Sequence, residues 1–227
     1  MKILAIIPAH NEATRISPVI QASLEHLPVL VVDDGSTDAT ADVAQTAGAQ
    51  VLRQVPNQGK GMALKTGFAR ALAEGYDAVV TLDADGQHDP SEIPLFLAAF
   101  SERSPDLIIG SRDFTKMPLS RRFANTSGRL LFSRALGQPI RDNQSGYRLV
   151  SRRLMAASLE SQQGGFEFEV DMVVICVQSG WRLDWVPIST IYGQESSHIN
   201  PLRHSGRFLS LVWRTHRRIR SSQTRKA

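Results

Sequence analysis

Residues 77–89 read DAVVTLDADGQHD, an apolar run followed directly by a polar, acidic one. The apolar part, Asp77–Leu82, has the length and the Val-rich character of a strand buried in a sheet. The two carboxylates that follow, Asp83 and Asp85, stand at alternate positions where such a strand ends. The stretch therefore predicts a buried strand that brings acidic side chains to one edge of a sheet.

Four further runs of the same kind occur in the first half of the chain. Helical patterns lie between them: one extends from about Asp38 through Ala47, one spans Lys60–Gly75, and one begins at Asp89. Strands that alternate with helices at this spacing are typical of βαβ units. We therefore predict an α/β fold, a mostly parallel sheet with helices on both faces. The further predicted strands are Lys2–Ile7, Pro28–Asp33, Ala49–Arg53 and Asp106–Ile109.

The second half of the chain is less regular. Its patterns predict helices over Pro118–Leu136, Phe166–Gly180 and Gly206–Arg220, and a short strand at Leu183–Ile188.

Composition bounds the class of protein. The chain has 227 residues, of which 42% are apolar and 21% charged, as in ordinary globular proteins. The single cysteine, Cys176, excludes an internal disulfide and a cysteine-based zinc site. The amino-terminal apolar run is too short for a signal peptide, and no run approaches the roughly 18 apolar residues of a membrane span. We therefore expect a cytoplasmic protein.

The end of the chain differs from the rest in charge. Residues 201–227 contain eight Lys or Arg and no Asp or Glu. Over residues 206–220 the helical pattern places Phe208 and Trp213 with the apolar residues and the arginines opposite them. Such a helix is typical of an anchor on an anionic membrane; a helix packed on the domain is the alternative. No nucleic-acid-binding motif accompanies it, so we expect a membrane partner through 206–220 and no nucleic acid.

Polar clusters follow the predicted strands, and in an open α/β sheet they should meet in one crevice at the carboxyl ends. Acidic groups gathered there cost free energy unless a cation compensates them. Asp83 and Asp85 can share a hard divalent cation, and Gln87 offers a further oxygen. A calcium loop does not fit, because His88 stands where that loop needs glycine. A plain polar turn remains the alternative.

Two neighbouring motifs are less specific. Asp33-Asp34-Gly35 either ends a strand and caps a helix or binds a nucleoside. The glycine-rich residues 57–61, NQGKG, match neither the dinucleotide-binding fingerprint nor the P-loop. Lys60 can still contact an anionic ligand, because backbone amides at a helix start favour anions.

Six ordered motifs together resemble family two of the inverting glycosyltransferases, and more narrowly its dolichol- or polyprenol-phosphate mannose and glucose synthase branch. The resemblance extends from residue 3 to about 188. It implies a GT-A fold in a single domain over residues 1–200, with a nucleotide-sugar-binding half at 1–110, an acceptor half at 111–200 and the basic tail at 201–227. The motifs are IPAHNE (7–12), VVDDGSTD (31–38), NQGKGMALKTGF (57–68), DADGQHDP (83–90), GSR (110–112) and DNQSGYR (142–148).

The resemblance also assigns roles to residues of this chain. The nucleoside of a GDP- or UDP-sugar would be lined by Pro8, His10, Glu12 and Asp34. Asp83 and Asp85 would hold the diphosphate and its Mg²⁺ or Mn²⁺, with Gln87 as a further ligand and Lys60 beside the donor.

The acceptor half receives its roles in the same way. Arg112, together with Arg121 or Arg122, would bind the acceptor phosphate. Asp142, Ser145, Gly146 and Arg148 would form a loop that closes over donor and acceptor, which brings Arg148 to the acceptor phosphate as well. Glu167 and Glu169 lie where the family keeps acidic residues near the site.

The expected activity is metal-dependent inverting transfer of a hexose to polyprenyl phosphate at the cytoplasmic membrane face. A lipid phosphate is already anionic near pH 7 and needs no general base, whereas a hydroxyl acceptor would need one. Asp142, Glu167 and Glu169 are the candidates for that base. The alternatives are therefore a glycan, small-molecule or protein hydroxyl as acceptor, and a non-catalytic nucleotide-sugar-binding module at the membrane.

Overall fold

The computed structural model describes residues 1–112, 130, 132–142, 145–165 and 167–189. The predicted helix at 206–220 lies outside these residues, as do Arg121 and Arg122. Of the predicted helix Pro118–Leu136, residues 130 and 132–136 are described and are helical. Among the described residues, no helix combines the length and the apolar character that crossing a membrane requires.

Seven strands form one sheet, in the order β3-β2-β1-β4-β6-β5-β7. Every neighbouring pair is parallel except the two that involve β6, which runs antiparallel between β4 and β5. The strands are β1 (Ile3–Ala9), β2 (Val29–Asp34), β3 (Gln50–Gln54), β4 (Ala78–Thr81), β5 (Leu107–Arg112), β6 (Arg148–Ser151) and β7 (Leu183–Ile188).

Helices cover both faces of this sheet, so the α/β prediction is confirmed. A single 3₁₀ turn, Pro90–Glu92, begins where Asp89 accepts a hydrogen bond from the Ser91 amide at 2.9 Å, as its N-cap position predicts. The helices are α1 (Ile16–Leu24), α2 (Thr40–Thr46), α3 (Lys60–Ala73), α4 (Ile93–Arg103), α5 (Arg152–Leu159) and α6 (Glu167–Gln178).

The central strand β1 shows why helices cover both faces of the sheet. All seven of its residues are buried, and their side chains alternate between two cores. Ile3, Ala5 and Ile7 pack with α1, α2 and α4, whereas Leu4 and Ile6 pack with α3, α5 and α6. A strand buried on both faces is apolar throughout, which is the pattern of a parallel sheet.

Strand β6 and helix α5 were not predicted from the sequence. The strand is only four residues long, RLVS, and its first residue is an arginine. Ser151 ends it and caps α5, since its side chain accepts a hydrogen bond from the Leu154 amide. A strand this short has too few alternations to be recognised by periodicity.

Asp106 ties the amino end of β5 to both neighbouring strands. Its buried carboxylate accepts hydrogen bonds from the Ser151 hydroxyl and the Arg182 amide, each at 3.0 Å, and from the Arg153 guanidinium. Burial alone would raise the pKa of Asp106, but these hydrogen bonds outweigh it and lower that pKa below the ordinary value. The ionised carboxylate is therefore part of the fold.

We expect Asp106→Ala to lower the free energy of unfolding by about 2–3 kcal/mol, because a buried hydroxyl and a backbone amide lose their acceptor. Asp77→Ala is the matched control: Asp77 is an exposed carboxylate whose Oδ2 accepts from the Lys2 amide, and its loss should cost about 0.5 kcal/mol. Urea unfolding at pH 7 measures both variants.

The Asp106 contribution should also depend on pH. Because folding lowers the pKa of this carboxyl, its stabilisation is present above the unfolded value of about 3.9 and is lost as the pH falls below it. A difference between wild type and Asp106→Asn that grew on acidification would contradict this assignment.

Candidate active site

The carboxyl ends of β1, β2, β4 and β5 all lie at one edge of the sheet, which we call the crevice. Strands β1, β2 and β4 are parallel, and β5 points the same way because the antiparallel β6 separates it from β4. The predicted site residues His10, Asp34, Asp83 and Arg112 follow or end these four strands. The topology therefore gathers them as the sequence predicted.

Asp34 organises the loop that leads into α3. One of its carboxylate oxygens accepts from the Gln58 amide at 2.8 Å, and the other accepts from the Gly59 amide at 2.7 Å. His10 contacts the same residue, with Nδ1 2.9 Å from the Asp34 carbonyl oxygen. Both carboxylate oxygens of Asp34 thus bind main-chain amides, a structural role that the sequence did not indicate. A contact between Asp34 and the nucleoside stays a prediction.

Lys60, the first residue of α3, lies at the bottom of the crevice. Its Nζ is 2.5 Å from Asp83 Oδ1 and 3.2 Å from Glu169 Oε1. Burial opposes the charge of each group, but the opposite charges prevail: they raise the pKa of Lys60 well above its usual range and lower that of Asp83. Lys60 is therefore a cation near neutral pH, and Asp83 is a carboxylate.

Gly146 packs directly against this ion pair. A Cβ at position 146 would lie 2.9 Å from Asp83 Oδ2 and 2.9 Å from Lys60 Nζ, so the ends of these two side chains would have to shift. The Gly146 carbonyl accepts a hydrogen bond from Thr81 Oγ1 at 2.8 Å, which holds the loop in place. Glycine at this position lets the loop lie directly on the ion pair.

Arg148 lies below the crevice rather than on its surface. It is fully buried, its Nε donates to the Ser145 carbonyl at 2.8 Å, and its Nη1 donates to the Glu169 carbonyl. A phosphate would reach this guanidinium only after the loop had moved. In this structure Arg148 joins the 145–146 loop to α6, and its predicted contact with the acceptor phosphate stays a prediction.

Arg112 and Asp142 form a bidentate pair. Arg112 Nε donates to Asp142 Oδ2 at 2.7 Å, and Nη2 donates to Oδ1 at 3.0 Å. Asp142 is 1% exposed, whereas the Arg112 side chain is partly exposed to the crevice. The sequence predicted both residues for the site but not their contact, and their roles toward acceptor stay predictions.

The remaining nucleoside candidates lie beside His10. Pro8 is buried within β1. The Glu12 carboxylate is 2.7 Å from Arg15 Nη2, and the Glu12 amide donates to Thr40 Oγ1 at 2.8 Å. Glu12 is therefore fixed at the mouth of the crevice.

His88 supports Asp83 from behind. Its Nδ1 accepts a hydrogen bond from the Asp83 amide at 3.1 Å, and its ring lies against Tyr147, with ring centroids 5.1 Å apart. Burial lowers the pKa of His88, so the imidazole is neutral at pH 7. His88 was not among the predicted site residues. Its position five residues after Asp83, across a turn, is the sequence signal that could have placed it beside Asp83.

The crevice suits a divalent cation only if a ligand shares it. Asp83 Oδ1 is already taken by Lys60, and Asp85 Oδ1 accepts the Gln87 amide at 3.0 Å. Within the described part of the chain, no three His, Cys, Asp or Glu residues are grouped to hold a metal ion. The partly buried Asp85 carboxylate and Gln87 nevertheless offer oxygens of the kind that Mg²⁺ or Mn²⁺ binds together with a diphosphate.

Fold and crevice together define a GT-A glycosyltransferase. Residues 4–158 match Glycosyl transferase family 2, and the chain belongs to that family. It is 35% identical over 206 residues to an undecaprenyl-phosphate mannosyltransferase from Micrococcus luteus, with 84% of each chain covered. It is 32% identical over 210 residues to a polyprenol monophosphomannose synthase from Mycolicibacterium smegmatis, with 82% of this chain and 76% of the relative covered. The predicted family and enzyme class are thus confirmed.

A solved structure shows the same fold. Glucosyl-3-phosphoglycerate synthase from Mycobacterium tuberculosis, in complex with Mn²⁺, UDP and glucosyl-3-phosphoglycerate, superposes with a TM-score of 0.69 at 22% identity. The match covers 94% of this chain and 78% of that one. This likeness supports the GT-A architecture.

We expect Gly146→Ala to lower the free energy of unfolding by about 1.5–3 kcal/mol. The added methyl group displaces the ends of Lys60 and Asp83, and a charge-assisted contact of this kind contributes about that much. Urea unfolding at pH 7 measures the effect. Gly165→Ala is the control, because its Cβ would meet the end of the Glu167 side chain, outside this ion pair. Unchanged stability of Gly146→Ala would contradict the tight packing described here.

Proposed function

We propose that this glycosyltransferase moves a hexose from a nucleoside-diphosphate sugar to polyprenyl phosphate, with inversion at the anomeric carbon, at the cytoplasmic face of the membrane. Two relatives described above carry undecaprenyl phosphate or polyprenol in their names, and both are mannose enzymes. Their similarity over most of the chain supports the same acceptor class here.

The pairing of the acidic residues carries this proposal. Asp142 has both oxygens on Arg112, and Glu169 lies against Lys60, so each of these carboxylates is engaged by a cation. A carboxylate held in this way is poorly placed to take a proton from a hydroxyl acceptor. An acceptor that is already anionic needs no such base. The two more deeply buried of the three base candidates are thus engaged by cations, which favours a phosphate as the nucleophile; Glu167, at the start of α6, stays a candidate base.

Arg112 is the residue best suited to bind that phosphate. Its guanidinium has five N–H donors in a fixed fork, and Asp142 orients it from one edge. The side chain is partly exposed at the carboxyl end of β5. Arg121 and Arg122, outside the described residues, remain further candidates from the sequence.

The donor would lie on the other side of the crevice. His10 and Asp34 stand at the ends of β1 and β2, where the nucleoside fits, and Lys60 offers a positive charge to the diphosphate. Asp85 and Gln87 would hold a divalent cation jointly with that diphosphate. When bound, the cation supplies Lewis-acid stabilisation of the leaving nucleoside diphosphate. Lys60 would add to this as negative charge develops on the same oxygens.

Attachment to the membrane is the third part of the proposal. The basic amphipathic pattern at 206–220 supports a peripheral anchor on anionic lipid, which would hold the crevice near the headgroup of the acceptor. Confinement to the membrane surface would then raise the effective concentration of a lipid-linked phosphate at the crevice.

Transfer is tested directly with radiolabelled sugar. Purified protein with Mg²⁺ or Mn²⁺, a panel of GDP- and UDP-hexoses and polyprenyl phosphate in detergent should yield label in the organic phase. Asp85→Asn should reduce that label at least a hundredfold, because the cation that would stabilise the diphosphate loses a carboxylate ligand. Asp184→Asn, which alters an exposed ion pair with Arg103, is the matched control and should retain activity.

Two results would overturn the proposal. Metal-dependent release of nucleoside diphosphate without a lipid product would move the acceptor to a hydroxyl compound. Absence of turnover with every donor, while nucleotide still binds, would favour the non-catalytic module.

A second variant tests the acceptor side alone. Arg112→Gln should raise the KM for polyprenyl phosphate about tenfold or more, because a guanidinium–phosphate contact is lost, while nucleotide affinity stays within twofold. Arg134→Gln, on an exposed arginine of the 132–136 helix, is the control. An unchanged acceptor KM in Arg112→Gln would remove this residue from the acceptor site.

A further inference from the structure

Glu169 lies in the crevice wall without a role in the transfer just described. It is in the first turn of α6, and only 6% of it is exposed. Its Oε1 is 3.2 Å from Lys60 Nζ. Burying a carboxylate costs free energy unless a cation or hydrogen-bond donors compensate its charge. For Glu169 the Lys60 ammonium group supplies that compensation.

Lys60 is held by two carboxylates of different exposure. Asp83 is the nearer, at 2.5 Å, and its side chain is 29% exposed; the Glu169 side chain is 8% exposed. Asp83 therefore faces the space that a donor enters, whereas Glu169 faces the protein. A divalent cation that bound there with the nucleotide would compete with Lys60 for the Asp83 carboxylate, and Glu169 would remain as the second anchor of the ammonium group.

The position of Glu169 is fixed independently of any ligand. Its backbone carbonyl accepts the Arg148 guanidinium, which also donates to the Ser145 carbonyl. On either side of it along α6, Phe168 and Met172 are buried in the core beside α3. The backbone that carries the Glu169 carboxylate is thus held in place, and its contact with Lys60 sets the direction of the side chain.

We propose that Glu169 is a positioning residue that keeps the Lys60 ammonium group aimed at the donor diphosphate while Asp83 is engaged by the nucleotide and its cation. The proposal rests on the donor half of the proposed function and not on the identity of the acceptor. Glu169 acts here through Lys60 and does not itself touch the reacting atoms.

Nucleotide binding without acceptor provides the test. The full chain is titrated calorimetrically with GDP and with UDP, each with Mg²⁺, up to millimolar concentration. Glu169→Gln keeps the size of the side chain and removes its charge. We expect this variant to bind the nucleotide that wild type prefers about tenfold more weakly. Glu160→Gln, on an exposed carboxylate after α5, is the control and should bind as wild type does.

A double-mutant cycle separates positioning from a general structural effect. If Glu169 acts through Lys60, Glu169→Gln should add less than twofold when Lys60→Met is already present. In turnover assays Glu169→Gln should raise the donor KM and leave the acceptor KM unchanged. Should Glu169→Gln fail to fold in a thermal melt, Glu169→Asp serves instead, since it keeps the charge but withdraws it from Lys60 by one methylene.

The possible contradictions are distinct from those of the proposed function. Additive losses in the cycle, or an acceptor KM that rises with the donor KM, would overturn positioning by Glu169. Loss of kcat with nucleotide affinity intact would identify Glu169 as a base and overturn it as well. Failure to form a lipid product bears on the acceptor alone and leaves the binding result unaffected.

Discussion

The ion pair between Lys60 and Asp83 is the interaction on which the rest of the crevice depends. It joins the start of α3 to the end of β4, and Glu169 extends it to α6. Gly146 lies directly on this pair, so a side chain there would displace the ends of Lys60 and Asp83. Separating these groups would leave an unpaired ammonium ion and two unpaired carboxylates in a partly buried site, which costs free energy. The electrostatics therefore determine where both the helices and the loop can lie.

The antiparallel strand β6 explains how the two halves of the site meet. Parallel strands end at the crevice, but an antiparallel strand begins there: Arg148 pairs with Thr81 at the end of β4 and with Ile109 in β5. The residues just before β6 therefore enter between these two strand ends. This brings Gly146 onto Asp83 and Asp142 to Arg112. A wholly parallel sheet would have left that loop at the opposite edge.

The sequence predicted the sheet and the crevice because their signals are local. Apolar runs followed by acidic clusters are visible without a structure, and Asp83 and Arg112 were placed correctly at strand ends. The pairing of Lys60 with Glu169 joins residues more than a hundred positions apart, and no periodicity encodes such a contact. Arg148 shows the same limit: nothing local in the sequence indicates that its donors bind the backbone carbonyls of residues 145 and 169.

Three anchors of the crevice share a property that bears on how such enzymes diverge. Asp34 binds the amides of Gln58 and Gly59, Thr81 binds the Gly146 carbonyl, and Arg148 binds the carbonyls of residues 145 and 169. Each addresses the main chain, which every amino acid supplies. An exposed side chain such as that of Gln58 can therefore be exchanged in evolution without dismantling the frame. A scaffold anchored in this way can acquire new sugars and new acceptors by changing what faces the ligand while conserving what holds the loops.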